Sequence, residues 1–122
     1  MKIHVFTDLN VWREAHKLVL EIYKLTQKFP EGEKFGLTIQ LRRAAISITS
    51  NIAEGFSRKT DKEKIQFYRM SLGSLMEVQN QLILARDLGY IDLQNYDKSW
   101  ENSVVVSKLI SGFIKSAKLV SH

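Results

Sequence analysis

Residues 35–58 contain no proline, and wound as an α-helix they have three faces rather than two. At 100° per residue, Leu37, Leu41, Ala44, Ala45, Ile48, Ile52 and Gly55 gather on one broad apolar face. Ile39, Ile46 and Ala53 recur every seven residues on the nearly opposite side. Between the two runs a polar stripe of Gln40, Arg43, Ser47, Asn51, Glu54 and Arg58, spaced three and four residues apart. A helix in a monomeric bundle needs one apolar face. The second seam therefore predicts cover from outside the bundle, most economically another copy of the chain. Isolated exposed apolar residues are also ordinary on a protein surface. The stripe admits two readings as well. It is either a self-satisfying network, with Glu54 and Arg58 as a charge-assisted pair extended by Asn51 and Ser47, or a solvated helix face.

The rest of the chain is punctuated at similar intervals. The single proline, Pro30, follows a segment with Trp12, Ala15, Val19, Ile22 and Leu25 or Thr26 at helical spacing. That segment predicts a first helix from near Asp8, capped by Thr7 or Asp8. The second helix is expected from about residues 34–37 to residues 55–57, with Gly55 as the stop. Thr60 and Glu63 form a capping-box signature for a third helix reaching about Leu88, with Gly89 ending it. Its inner face is Tyr68, Ser71, Leu72, Leu75, Val78, Leu82 and Ala85. Asp92 is placed to cap a fourth helix to about Lys118, with Tyr96, Trp100, Ser103, Ser107, Ile110, Ile114 and Ala117 inward. Val104, Val105 and Val106 favour a strand locally, but their neighbours keep helical spacing. Four such helices with short loops predict one all-α domain over residues 1–122, an antiparallel up-down-up-down four-helix bundle.

Cysteine is absent, which removes disulfides, thiolate metal sites and a cysteine nucleophile. No apolar run approaches the roughly 20 residues that span a bilayer, and the first residues lack a signal-peptide core. A cytoplasmic protein without membrane contact is expected. The net charge is +5, from 18 Lys and Arg against 13 Asp and Glu. It admits a polyanionic partner, but with no dense Lys/Arg tract the charge alone favours a solvated basic surface. Residues 36–59 hold Arg42, Arg43, Arg58 and Lys59 against Glu54 alone, whereas residues 60–91 balance to zero. Those four cations are the expected phosphate contacts if RNA or DNA binds. Phe56, beside Ser57, Arg58 and Lys59, is a weaker aromatic contact.

Catalytic patterns are sparse. His4, His16 and His122 lie outside Glu-x-x-His and His-x-x-x-His spacing, and no phosphate loop or nucleophile elbow occurs. Glu54 and Glu77 could form a carboxylate pair across two helices, a setting in which salt-bridge partners are commoner than catalysts. No metal, cofactor or enzymatic role is expected.

The segments Phe6-Thr-Asp-Leu-Asn-Val-Trp12, Leu25-Thr-Gln-Lys-Phe-Pro30, Gly36-Leu-Thr-Ile-Gln-Leu-Arg-Arg-Ala-Ala45, Asn51-Ile-Ala-Glu-Gly55 and Gly73-Ser-Leu-Met-Glu77, with Ser47, Arg58 and Leu88-Gly-Tyr-Ile91, carry a resemblance over almost the whole chain. Together they resemble the 23S rRNA intervening-sequence proteins, also called S23 ribosomal proteins. That resemblance implies a four-helix bundle assembling as a ring-like homopentamer. A related branch, the accessory variability proteins of diversity-generating retroelements, implies binding to nucleic acid and to a reverse transcriptase. The matched positions are Arg43, Ser47, Asn51, Glu54, Gly55, Arg58 and Glu77, and the resemblance assigns them no catalytic role.

Overall fold

The computed structural model describes residues 2–120, with the side chains of 119 and 120 left aside. Four helices account for most of it: α1 (Asn10–Thr26), α2 (Leu37–Ser57), α3 (Asp61–Asp87) and α4 (Leu93–Val120). Short 3₁₀ turns at Phe6–Asp8 and Glu31–Glu33 precede α1 and α2, and no strand occurs among the described residues. Each helix packs on two others in a closed cycle, α1 on α2, α2 on α3, α3 on α4 and α4 on α1, and among the described residues the backbones do not approach closely across the diagonals.

The core sits inside this cycle. Leu18, Ile22, Leu41, Ile48, Ile52, Leu75, Leu82 and Ile110 are fully buried, each contributing about 1.5–3 kcal/mol by leaving water. All seven residues expected on the inner face of α2 are buried. On α1 the inward side turns further than expected: Val11 and Leu18 are buried, while Trp12 is half-buried at the rim. There its ring stacks on His16 at 4.7 Å and meets the edge of Phe6 at 5.4 Å. Leu72 is half-buried, and Ser99 and Val106 join the α4 core. Burying Val106 to 1% exposure favours helix over the local β preference of the valine run.

The helix ends are specified by side chains. Asp8 does not cap α1; its Oδ2 accepts the His4 and Val5 N–H groups, closing the preceding turn, and Leu9 occupies the cap position. At α2, Glu33 Oε1 accepts the Leu37 N–H at 3.1 Å while Oε2 accepts the Tyr90 hydroxyl at 2.8 Å, tying this helix start to the α3–α4 turn. At α3, Thr60 Oγ1 accepts the Glu63 N–H at 3.2 Å. The Glu63 carboxylate turns back to the Thr60 hydroxyl rather than to its backbone N–H. Gly89, at φ 78°, ends α3 in a Schellman arrangement, with Tyr90 N–H on Ala85 O and Gly89 N–H on Arg86 O. Asp92 Oδ1 accepts the Asn95 N–H at 2.8 Å ahead of α4.

Side chains fix the register between helices. Lys64 Nζ donates to the carbonyls of Gly55 and Phe56, and Ser71 Oγ donates to Ile48 O at 2.8 Å. Gln79 Nε2 donates to Ser103 Oγ at 3.0 Å, and the Tyr68 and Phe113 rings meet edge-on at 5.5 Å.

Candidate functional site

The polar stripe of α2 lies along the α2–α3 joint, because the inner face of the same helix is committed to the core. Gln40, Arg43, Ala44 and Ser47 face Ser74, Glu77 and Gln81 across an open groove of about 350 Å³. The stripe is not one network but two. In the first, Asn51 Nδ2 donates to Ser47 O at 2.9 Å and to Ser47 Oγ at 3.1 Å, and the Ser74 hydroxyl donates to Ser47 Oγ at 2.7 Å. In the second, Arg58 Nη2 donates to Glu54 Oε1 at 3.1 Å, and Ser57 Oγ donates to Glu54 O at 2.7 Å. The Arg58 guanidinium lies 4.6 Å over the Phe67 ring, and its buried Nε has no acceptor.

Gln40, Arg43 and Glu77 belong to neither network. Their side chains are exposed in the groove without a hydrogen bond or ion pair among the described residues. Gln81, missed in the sequence reading, brings a buried and unpartnered Oε1 to the same place. The signal for it was available: it lies four residues after Glu77 on the edge of α3 facing α2. Glu54 lies in a separate hollow with Ser57, Arg58, Lys59 and Glu63. The 11 residues from Arg43 to Glu54 put that hollow about 16 Å along α2 from the one holding Glu77. The two carboxylates therefore do not form a pair.

The four expected phosphate contacts are also dispersed. Arg42 turns away from Arg43 toward the end of α1, where its Nε donates to Thr26 Oγ1 at 2.8 Å and its guanidinium lies 4.5 Å over Tyr23. A cation at that position complements the helix C-terminus. Arg58 is held by Glu54, whereas Lys59 is exposed, with no side-chain partner among the described residues. Lys64, absent from the expected set, caps the C-terminus of α2 and lies 5.6 Å over Phe56.

The second seam of α2 is open. Ile39 and Ile46 are 36% and 40% exposed and Ala53 is half-buried. Among the described residues no three His, Cys, Asp or Glu side chains form a group able to hold a metal. His122 lies outside those residues. No described helix is long and apolar enough to cross a membrane.

The chain matches the family model described as 23S rRNA-intervening sequence protein over residues 7–112. It is also similar to a crystal structure of a protein with unknown function from the S23 ribosomal protein family of Bacteroides thetaiotaomicron VPI-5482. The two are 24% identical, with a TM-score of 0.77 over 86% of this chain and 98% of that one, a likeness in fold. No curated protein matches.

Proposed function

The chain belongs to the 23S rRNA-intervening sequence protein family, and on that footing we propose that it is a non-catalytic, self-assembling module that binds RNA or DNA in the cytoplasm. Its helices run antiparallel, up-down-up-down. The pairings of Lys64 with Gly55, Ser71 with Ile48 and Ser74 with Ser47 support this, since numbers rise along α3 as they fall along α2. The whole chain acts as one domain, and five copies close a ring. One observation carries the reading: Ile39, Ile46 and Ala53 form an apolar seam, left open among the described residues, beside a groove whose Arg43 and Glu77 lack side-chain partners among those residues. A neighbouring copy would bury the seam and supply those partners.

Nucleic-acid binding is supported by the net charge of +5 and by Lys59, which is exposed and unpaired among the described residues. A second reading is a protein-interaction module, with a reverse transcriptase among its candidate partners and no nucleic-acid ligand of its own. The internal engagement of Arg42 and Arg58 favours it.

Light-scattering mass tests the assembly. The expected particle is about 70 kDa, five times 14.1 kDa. Ile39→Glu with Ile46→Glu should reduce it to a folded monomer, because both side chains are already exposed. A wild-type monomer sinks the assembly. Salt-dependent binding of an RNA fragment supports the nucleic-acid reading, and no binding at low salt leaves the protein-interaction module in its place.

A further inference from the structure

The positive charge is segregated. Residues 58–69 and 108–118 hold eight of the 18 Lys and Arg and two of the 13 Asp and Glu. They carry a net +6, and the rest of the chain carries −1. The fold brings these two segments side by side, where Tyr68 packs on Phe113. Between them lies an open cleft of about 690 Å³ lined by Lys62, Ile65, Gln66, Arg69, Met70 and Lys118. Lys62 and Arg69 are seven residues apart on one face of α3, and Lys108 and Lys115 are seven apart on α4. All four are exposed and outside any ion pair among the described residues. Among the described residues no carboxylate lines the cleft, and its apolar part is Ile65 and Met70.

From this arrangement we propose that the α3–α4 cleft is the nucleic-acid site, seating the phosphodiester backbone of a single RNA strand between Lys62 and Arg69 on one side and Lys118 on the other, with Lys115 and Lys108 extending the contact. The assignment rests on the nucleic-acid reading above and moves the contact from the α2 cations to the opposite edge of α3. From Lys108 to Lys118 is about 15 Å of helix axis, the axial length of roughly four phosphates of one strand. A uniform polyanion matches charges repeated at about 10 Å along α3 and along α4 in any register, whereas a folded acidic partner needs one fixed pattern. Among the described residues no aromatic ring lines the cleft, an arrangement that holds backbone rather than reading bases.

The test is fluorescence anisotropy with a labelled 15-nucleotide oligouridine across a salt series. Lys62→Gln with Arg69→Gln should weaken binding about tenfold and lower the salt slope by about 1.4, two phosphate contacts on a single strand. The charge-conserving Lys62→Arg with Arg69→Lys should bind as wild type does. Lys24→Gln with Lys28→Gln removes the same charge from α1 and should change affinity less than threefold. An equal loss in that variant would mean that overall charge governs, which overturns the site. If Arg43→Gln with Lys59→Gln abolishes binding and the cleft variant does not, the nucleic-acid reading stands and the cleft assignment falls. If wild type binds polyglutamate and not RNA at low salt, both fall.

Discussion

A Cβ at Gly55 would lie 2.6 Å from Tyr68 Cε1, 3.0 Å from Cδ1 and 3.1 Å from Phe67 Cβ. Tyr68 is 4% exposed and cannot swing aside. Gly55→Ala should therefore destabilise the fold by about 1–3 kcal/mol, read as a lower urea midpoint at unchanged m-value. Where space is free, alanine in a helix does the opposite; unchanged or raised stability would remove the close-packing account. The sequence places the end of α2 at residues 55–57 by reading Gly55 as a stop, and α2 ends at Ser57 with Gly55 still inside the helix. Size rather than flexibility requires glycine there, and size demands come from Tyr68, which is distant in sequence. At the other end of α2, the Glu33 carboxyl is held below its ordinary value of 4.5, first by the Leu37 N–H and then by the Tyr90 hydroxyl. The linked stability is complete above that ordinary value and is lost as pH falls through the lower folded one. Thermal melts from pH 6 to pH 3 should drop more steeply for wild type than for Glu33→Gln, and parallel drops would refute the link. The same bond raises the Tyr90 hydroxyl above its ordinary 10.0, so its contribution is present below that value and lost as pH climbs through the raised one.

Each helix was legible to the degree that its own sequence decides its faces. The α2 core positions follow from spacing alone, and the structure buries every one. Arg42 and Arg43 show where that logic stops. Adjacent in sequence, they point 100° apart, one to the end of α1 and the other into the α2–α3 groove. The charge tally failed for a related reason. Residues 60–91 sum to zero because Asp61 and Glu63 offset two of the three cations of early α3, and Glu77 and Asp87, much further along the same helix, outweigh Arg86 by one. Lys118, which completes the basic cleft, comes from another helix entirely. The α2–α3 register has a direct test in a chain without cysteine. The Ser47 and Ser74 oxygens are 2.7 Å apart, so Ser47→Cys with Ser74→Cys should close a disulfide under mild oxidation. The crosslinked chain should run faster on a non-reducing gel as a monomer-sized band. Retention of both free thiols would contradict the register.

Over the whole molecule, charge follows the long axis of the bundle rather than any single helix. The α3–α4 cleft lies at one end, while Asp87, Asp92, Asp97 and Glu101 cluster about the α3–α4 turn at the other. A single protomer spans only about four phosphates and grips a strand weakly. If protomers assemble side by side with their helices aligned to the ring axis, every cleft falls on the same rim. A strand that reaches two clefts meets the second at high local concentration, and its affinity rises by about 10²–10⁴ without a new kind of contact. Such a ring would act as a ruler: it would release short oligonucleotides, retain long ones, and sort nucleic acids by length with no base ever read.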